Sequence, residues 1–232
     1  MKKYLVLLLL ACSAYQAQSQ VLISLLFGDK LNAPGMEFGL EGGVNFSQVN
    51  GLDSDKYLPT FNLGFYFDIR LNDPWYLYTA LLVKAQMGTN DLSSADLDFL
   101  GTEVYAQDGD YSQRLNYFIV PALAKYKLKN HLYFEVGPQF ALMHKAWVEY
   151  NTDEGGIEGR IREDNIDMLN RFDVGATGGF GYRLLDGKGM TIGVKYYYGF
   201  VDVYKDKSGT NNNSLFLKFN IPIGAAKANP PQ

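Results

Sequence analysis

FNLGFYFDIRL, residues 61–71, alternates between apolar and polar or small side chains along its whole length. Every second residue from Phe61 to Ile69 is apolar. Because successive side chains of a strand point to opposite sides, the segment is predicted to be a β-strand with one apolar face. That face has to contact a second sheet, a ligand inside a soluble barrel, or lipid.

Seven further segments have strand length and a similar pattern. With residues 61–71 they make eight, and their lengths approach the roughly 9–11 residues that a tilted strand needs to cross a bilayer. They are FGLEGGVNF (38–46), WYLYTALLVKAQ (75–86), LNYFIVPALAKY (115–126), HLYFEVGPQFALMH (131–144), RFDVGATGGFGYRL (171–184), MTIGVKYYYGF (190–200) and SLFLKFNIPI (214–223).

The connections between these segments alternate in length. LNDPW, KLKN and LDGKG are short and rich in turn-forming residues. Residues 47–58, 88–111, 149–170 and 204–213 are long and mostly polar. Consecutive connections of an up-and-down barrel lie at opposite ends, so the pattern predicts one short-turn end in the periplasm and one long-loop end outside the cell.

Glycine is concentrated on the polar face of the predicted strands, which favours that face as the filled interior of a narrow barrel. The glycines are Gly39, Gly43, Gly64, Gly137, Gly175, Gly179, Gly181, Gly193 and Gly199. Charged residues on the same face are expected to pair inside the barrel. They are Glu41, Asp68, Glu135 and Asp173 with Arg70, Lys84, Arg183, Lys195 and Lys218, and Tyr66, Tyr133 and Tyr197 are expected to add bulk.

Aromatic residues near the predicted turns and loops suggest two interfacial girdles, as in outer-membrane barrels. They are Trp75, Tyr76, Tyr78, Tyr126 and Tyr133 at the short-turn end and Tyr111, Trp147, Tyr150 and Tyr204 at the long-loop end.

The N-terminus predicts export. Lys2 and Lys3 precede a short apolar run and small residues, as in a secretory signal. Cleavage after Ser19 or after Ala14 fits, and lipid attachment at Cys12, the single cysteine, is a third alternative. The predicted organisation is a signal peptide (1–19), an N-terminal periplasmic arm (20–35), an outer-membrane β-barrel (36–224) and a C-terminal tail (225–232).

The sequence contains no convincing catalytic, cofactor-binding or metal-binding constellation. His131 and His144 are expected at opposite ends of the barrel, and the net charge of -4 argues against a nucleic-acid partner. The long loops are acidic, which suggests either solvated loops or weak binding of divalent cations, including bridges to outer-leaflet lipid. Their acidic residues are Asp91, Asp96, Asp98, Glu103, Asp108 and Asp110, followed by Asp153, Glu154, Glu158, Glu163, Asp164 and Asp167.

GLEGGVNFSQVNG (39–51) and LNYFIVPALAKYKL (115–128) resemble strands of the PorT-like outer-membrane β-barrel family of gram-negative bacteria. The resemblance implies an eight-stranded barrel, and the member that gives the family its name is tied to protein secretion. Two segments depart from the family pattern. ALLVKAQMG (80–88) lacks its usual Glu and late Lys, and the chain ends in AAKANPPQ rather than at an aromatic residue.

We therefore predict an all-β, eight-stranded, antiparallel, up-and-down transmembrane β-barrel in the outer membrane. The expected role is non-enzymatic, structural or interactive, through the outer loops or the periplasmic arm. The alternatives are an accessory subunit of a secretion or transport apparatus, a small pore, and, as a third class, a barrel hydrolase or acyltransferase. The expected partners are outer-membrane lipid and a protein of the cell envelope.

Overall fold

The computed structural model describes residues 35–154 and 157–223. The predicted signal peptide, the C-terminal tail and the part of the predicted arm before Gly35 lie outside these residues. The strands are β1 (Met36–Val49), β2 (Lys56–Asn72), β3 (Trp75–Asn90), β4 (Asp110–Lys127), β5 (Leu132–Glu154), β6 (Ile157–Asp164), β7 (Phe172–Arg183), β8 (Thr191–Tyr204) and β9 (Lys207–Pro222). The helical segments are α1 (Ser94–Leu100), a 3-10 turn (Ile166–Met168) and a short turn (Leu184–Gly187).

The strands form one antiparallel sheet that closes on itself. β1 pairs with β2 and with β9, and β4 pairs with both β3 and β5. Among the strands of the described residues, β6 pairs only with β5, so eight of these nine strands make the closed ring in the order β1-β2-β3-β4-β5-β7-β8-β9. The predicted eight-stranded up-and-down barrel is confirmed.

The side chains divide between the two faces as the alternation in residues 61–71 predicts. Phe61 is 50% exposed on the outer surface, and Phe140 and Phe180 are similarly exposed. Glu41 and Lys195, on the opposite face of their strands, are buried. Because apolar side chains cover the outside and charged side chains fill the inside, the apolar face contacts lipid.

Two of the predicted long loops contain regular structure instead. Residues 149–170 continue β5 to Glu154 and return as β6, so most of this loop is a hairpin. Residues 204–213 are strand on both sides of a tight turn, with Tyr204 paired to Lys207. The Asp202 carboxylate accepts hydrogen bonds from the backbone N–H groups of Gly209 and Thr210 beside this turn. These bonds help to explain how the polar residues 204–213 form part of the β8–β9 hairpin.

A third long loop, between β3 and β4, contains α1. Ser93 caps α1 and accepts the N–H of Asp96, while Gly101 ends it in the left-handed conformation at φ 64°. Leu97 and Leu100 are buried against the core, so α1 lies over the long-loop mouth of the barrel. Among the described residues, no helix is long and apolar enough to span a membrane.

Candidate functional site

The centre of the lumen is filled by two buried ion pairs. Lys195 Nζ lies 2.7 Å from a Glu41 oxygen, and Lys218 Nζ lies 2.5 Å from a Glu135 oxygen. Tyr78 donates its hydroxyl proton to the second oxygen of Glu41, and the Lys218 ammonium lies 4.0 Å from the Tyr78 ring centroid. The two pairs therefore share one aromatic wall at the middle of the barrel.

A second charged layer lies nearer the short-turn end. The Asp68 carboxylate contacts Lys125 at 3.1 Å and Lys127 at 2.7 Å. Next to it, Arg183 pairs with Glu37 at 2.7 Å, and Tyr66 donates a 2.8 Å hydrogen bond to the same carboxylate. These contacts connect β1, β2, β4 and β7 across the interior.

The layer toward the long-loop end is polar but not ion-paired. Asn212 donates a 2.8 Å hydrogen bond to the buried Asp173 and a second, at 3.1 Å, to the Tyr117 hydroxyl. Thr177 donates to Gln139 at 3.2 Å on the neighbouring strands. Within residues 35–154 and 157–223, no cation lies within ion-pair distance of Asp173, so hydrogen bonds alone hold this carboxyl group.

The long-loop mouth is closed by a further set of contacts. Tyr204 donates to Gln113 Oε1 at 3.0 Å, and Asn165 donates to the same oxygen at 2.7 Å. Above them, Phe99 of α1 packs edge-on against Tyr204, with ring centroids 5.3 Å apart. The carboxylate of Asp96 accepts backbone N–H groups of two other loop residues, which ties the first and second loops together.

Most of the predicted lumen residues lie inside, and two do not. Glu41, Asp68, Glu135, Asp173, Arg183, Lys195 and Lys218 are in the interior network. The prediction was wrong for Lys84, which is exposed over the outer ring of Phe61, because a register shift on β3 turns the chain by one residue. It was also wrong for Arg70, which pairs with Asp73 at the rim.

The sequence reasoning missed three charged residues of the lumen, namely Glu37, Lys125 and Lys127. The apolar inward residues Ile119 and Leu123 precede the two lysines on β4 and make that strand look apolar on both faces. Counting alternate positions from Tyr117, which is fully buried, would have placed Lys125 and Lys127 inside.

The predicted aromatic girdles are confirmed only in part. Trp75 and Tyr126 pack edge-on at the short-turn end, with ring centroids 5.0 Å apart, and both are exposed. Other predicted girdle residues are buried instead, because they occupy inward strand positions or lie within the folded loops at the long-loop mouth. They are Tyr78 and Tyr133 in the lumen and Tyr111, Tyr150 and Tyr204 at the long-loop mouth.

The remaining candidates for chemistry do not converge. His131 lies in the turn before β5, and His144 stacks on Phe118 about midway along β5, with ring centroids 4.6 Å apart. The prediction that the two histidines lie at opposite ends was wrong for His144, because β5 continues for ten residues beyond it. Among the residues that the structure describes, no group of three or more His, Cys, Asp or Glu side chains is placed to hold a metal ion.

An unpredicted cluster of arginines covers Glu149 on the outer face of β4, β5 and β6. Arg114 and Arg162 lie 2.8 Å from its carboxylate oxygens, and Arg160 lies 3.9 Å away. Trp147 donates to the same carboxylate at 3.2 Å. Burial alone would raise the pKa of Glu149, but the hydrogen bonds from Trp147 and Arg162 and the charge of Arg114 outweigh it and lower the pKa.

Comparison with known proteins assigns the family. The profile of the family described as outer membrane protein beta-barrel domain matches residues 16–205. The chain belongs to this family. As an outer-membrane β-barrel, the protein resides in the outer membrane, with lipid around its apolar surface. The comparison with curated proteins finds no match.

Several solved structures resemble this outer-membrane barrel. The attachment invasion locus protein Ail of Yersinia pestis, in complex with sucrose octasulfate, is 12% identical with a TM-score of 0.41, covering 81% of this chain and 98% of Ail. Neisserial surface protein A is 12% identical with a TM-score of 0.41, covering 81% of this chain and 96% of that protein. OprG from Pseudomonas aeruginosa is 10% identical with a TM-score of 0.36, covering 82% and 95%.

Proposed function

We propose that this protein is a non-enzymatic outer-membrane barrel with a closed lumen, which acts through its outer surface as a structural or interaction component. The observation that carries the proposal is the stack of buried contacts along the interior. Glu41, Asp68 and Glu135 each pair with lysine across the lumen, and Tyr204 and α1 cover the outer mouth. An eight-stranded barrel has an interior only wide enough for side chains, so this filling supports a lumen without an aqueous path.

A conductance measurement tests the closed lumen. The purified protein, refolded and reconstituted in planar bilayers, is expected to give little or no steady current. Folding is checked on a gel, where the unheated closed barrel should migrate faster than the boiled chain. Stable, long-lived openings from protein that passes this check would contradict the proposal and favour the small pore.

We also propose the predicted organisation of the precursor: a signal peptide (1–19), a periplasmic arm (20–35) and a C-terminal tail (225–232) flanking the barrel.

The resemblance of β1 and β4 to PorT-like barrels supports a protein partner in the cell envelope, such as a component of a secretion apparatus. Chemical cross-linking in intact cells, followed by purification of the barrel and identification of attached proteins, tests this. Recovery of the barrel alone, under conditions that cross-link a known envelope complex, would contradict it.

A further inference from the structure

The arginine cluster on Glu149 carries more positive charge than its carboxylate neutralises. Three guanidinium groups, from Arg114, Arg160 and Arg162, surround one buried carboxylate. Asp164 lies on the same face, but its Oδ1 accepts the backbone N–H of Ile166 at 3.1 Å. Lys145, also exposed, adds a further cation at the base of the cluster. Asp110, exposed on β4 opposite Asn151, faces the same patch, so four cations meet three carboxylates among the side chains that the structure describes, and three of the cations lie within 3.9 Å of Glu149.

The arginines differ in accessibility in a way that suits ligand binding. The Arg114 side chain is 22% exposed, whereas those of Arg160 and Arg162 are 61% and 54% exposed. Arg160 donates through Nε to Asn151, and Arg162 donates through Nε to Glu149. Both guanidinium groups are thus oriented by neighbours through Nε, while more than half of each side chain is exposed. A planar, oriented guanidinium is well suited to bidentate binding of phosphate.

The position of the cluster along the barrel axis indicates which layer of the membrane lies next to it. Phe118, 40% exposed on the outside of β4, is four residues from Arg114 along the same strand. At about 3.4 Å per residue and a tilt near 40°, Arg114 lies roughly 10 Å nearer the long-loop end. Measured in the same way from Tyr126, in the exposed aromatic pair at the short-turn end and twelve residues away on β4, Arg114 lies roughly 30 Å along the barrel axis, about the thickness of the hydrocarbon core, which puts the cluster level with the outer-leaflet headgroups.

Trp147 adds an amphipathic group to the cluster. The Arg162 guanidinium lies 5.0 Å from the Trp147 ring centroid, and the indole N–H is bonded to Glu149. Tryptophan prefers the boundary between hydrocarbon and headgroups. The indole therefore supports a position of the cluster at the membrane surface, and it provides a fluorescent reporter within the cluster.

From this geometry we propose that Arg114, Arg160 and Arg162 form a binding site for the phosphate group of an outer-leaflet lipid. Glu149 holds the arginines in position, and the phosphate binds the exposed Nη–H groups of Arg160 and Arg162 from outside. The lipid chains then lie along the apolar surface below, around Phe118 and Leu142. The proposal is independent of whether the lumen conducts.

Fluorescence of Trp147 tests the site directly. Because the chain has two tryptophans, the variant Trp75→Phe leaves Trp147 as the sole indole. The folded protein in a neutral detergent is titrated with diphosphoryl lipid A, with the same lipid after dephosphorylation, and with inorganic phosphate. We expect a saturable change with the phosphorylated lipid only.

The specificity of that change is tested by two matched double variants. Arg160→Gln with Arg162→Gln should weaken the apparent affinity about tenfold or more. Lys129→Gln with Lys188→Gln, which removes the same charge from exposed residues at the short-turn end, should leave it unchanged. Gel mobility before and after heating confirms that each variant is folded.

Three results would overturn the proposal. Equal responses to the phosphorylated and dephosphorylated lipids would mean that only the lipid chains are recognised. Saturation by inorganic phosphate at a concentration similar to that of lipid A would assign the site to a free anion. Unchanged affinity in the folded arginine variant would leave the arginines with a purely structural role in holding β6 on the barrel.

Discussion

At the scale of single residues, the fold depends on charges that are stable inside the barrel only as pairs. Lys218 sits within 2.5 Å of Glu135, and the side chains are 2% and 0% exposed. Lys195 and Glu41 are buried to a similar degree. Removing one member of such a pair leaves the other buried without a counter-charge, which costs more than the pair itself contributes.

Glu135→Ala should therefore lower the free energy of unfolding by about 3 kcal/mol or more. Glu103→Ala, the same substitution at an exposed loop position, should change it by less than about 0.5 kcal/mol. Urea unfolding in lipid vesicles measures both. If the charge left on Lys218 is the cause, the double variant with Lys218→Met should recover part of the loss. A loss of similar size in Glu135→Ala and Glu103→Ala would argue against a special cost of the unpaired buried charge.

Glycine is required where the strands and the lumen side chains approach most closely. A Cβ on Gly43 would collide with the backbone of Leu217 and Lys218 on β9, whereas a Cβ on Gly178 would meet nothing within 4 Å. Gly43→Ala should thus destabilise the barrel by about 1–3 kcal/mol, and Gly178→Ala should be tolerated. The same unfolding experiment compares them, and equal stability of the two variants would refute the close-packing argument.

At the scale of elements, the outer loops are folded rather than open. The Asp96 carboxylate, 1% exposed, accepts the N–H groups of Asp53, Ser54 and Ser93, so one side chain holds both the start of α1 and the first loop. Asp96→Ala should weaken this cap by about 1–2 kcal/mol and raise amide exchange in α1 about tenfold. Hydrogen exchange with mass spectrometry detects this. The control is Asp98→Ala in the same helix, where the side chain is exposed.

The β5–β6 hairpin should respond to acid through Glu149. The pKa of this carboxyl group in the folded protein lies below its ordinary value of 4.5. Its contribution to stability is therefore complete above about pH 4.5 and is lost as the pH falls through the lowered pKa. In the Trp75→Phe background, Trp147 fluorescence should change in that acidic range. Glu149→Gln should abolish the transition, and its persistence would point to another group.

At the scale of the whole molecule, the ring places alternate connections on opposite sides of the outer membrane. Ala95 in α1 and Asn130 in the turn before β5 are both exposed and lie at opposite ends. In a Cys12→Ser background, a large membrane-impermeant maleimide added to intact cells should label Ala95→Cys but not Asn130→Cys. Both should react once the outer membrane is opened. If only Asn130→Cys were labelled in intact cells, the barrel would have the opposite orientation in the outer membrane.

The sequence by itself determined the eight strands of the ring, the apolar outer face and the glycine-rich interior. These features follow from a period of two, which any extended chain imposes on its side chains regardless of its partners. The alternation of Phe61, Phe65 and Ile69 with polar residues needed no tertiary information. The short turns at 71–75 and 127–130 were equally readable from their Asn, Asp and Pro content.

Only the tertiary structure decided the register and the contacts between distant strands. A register shift on β3 places Lys84 outside the lumen. Backbone hydrogen bonds extend β5, β8 and β9 into polar stretches that the sequence predicted to be loops. The meeting of Arg114 with Arg162 on Glu149 depends on β6 folding back against β5. Pairing energies between segments far apart in sequence decide these features, and local periodicity carries no information about them.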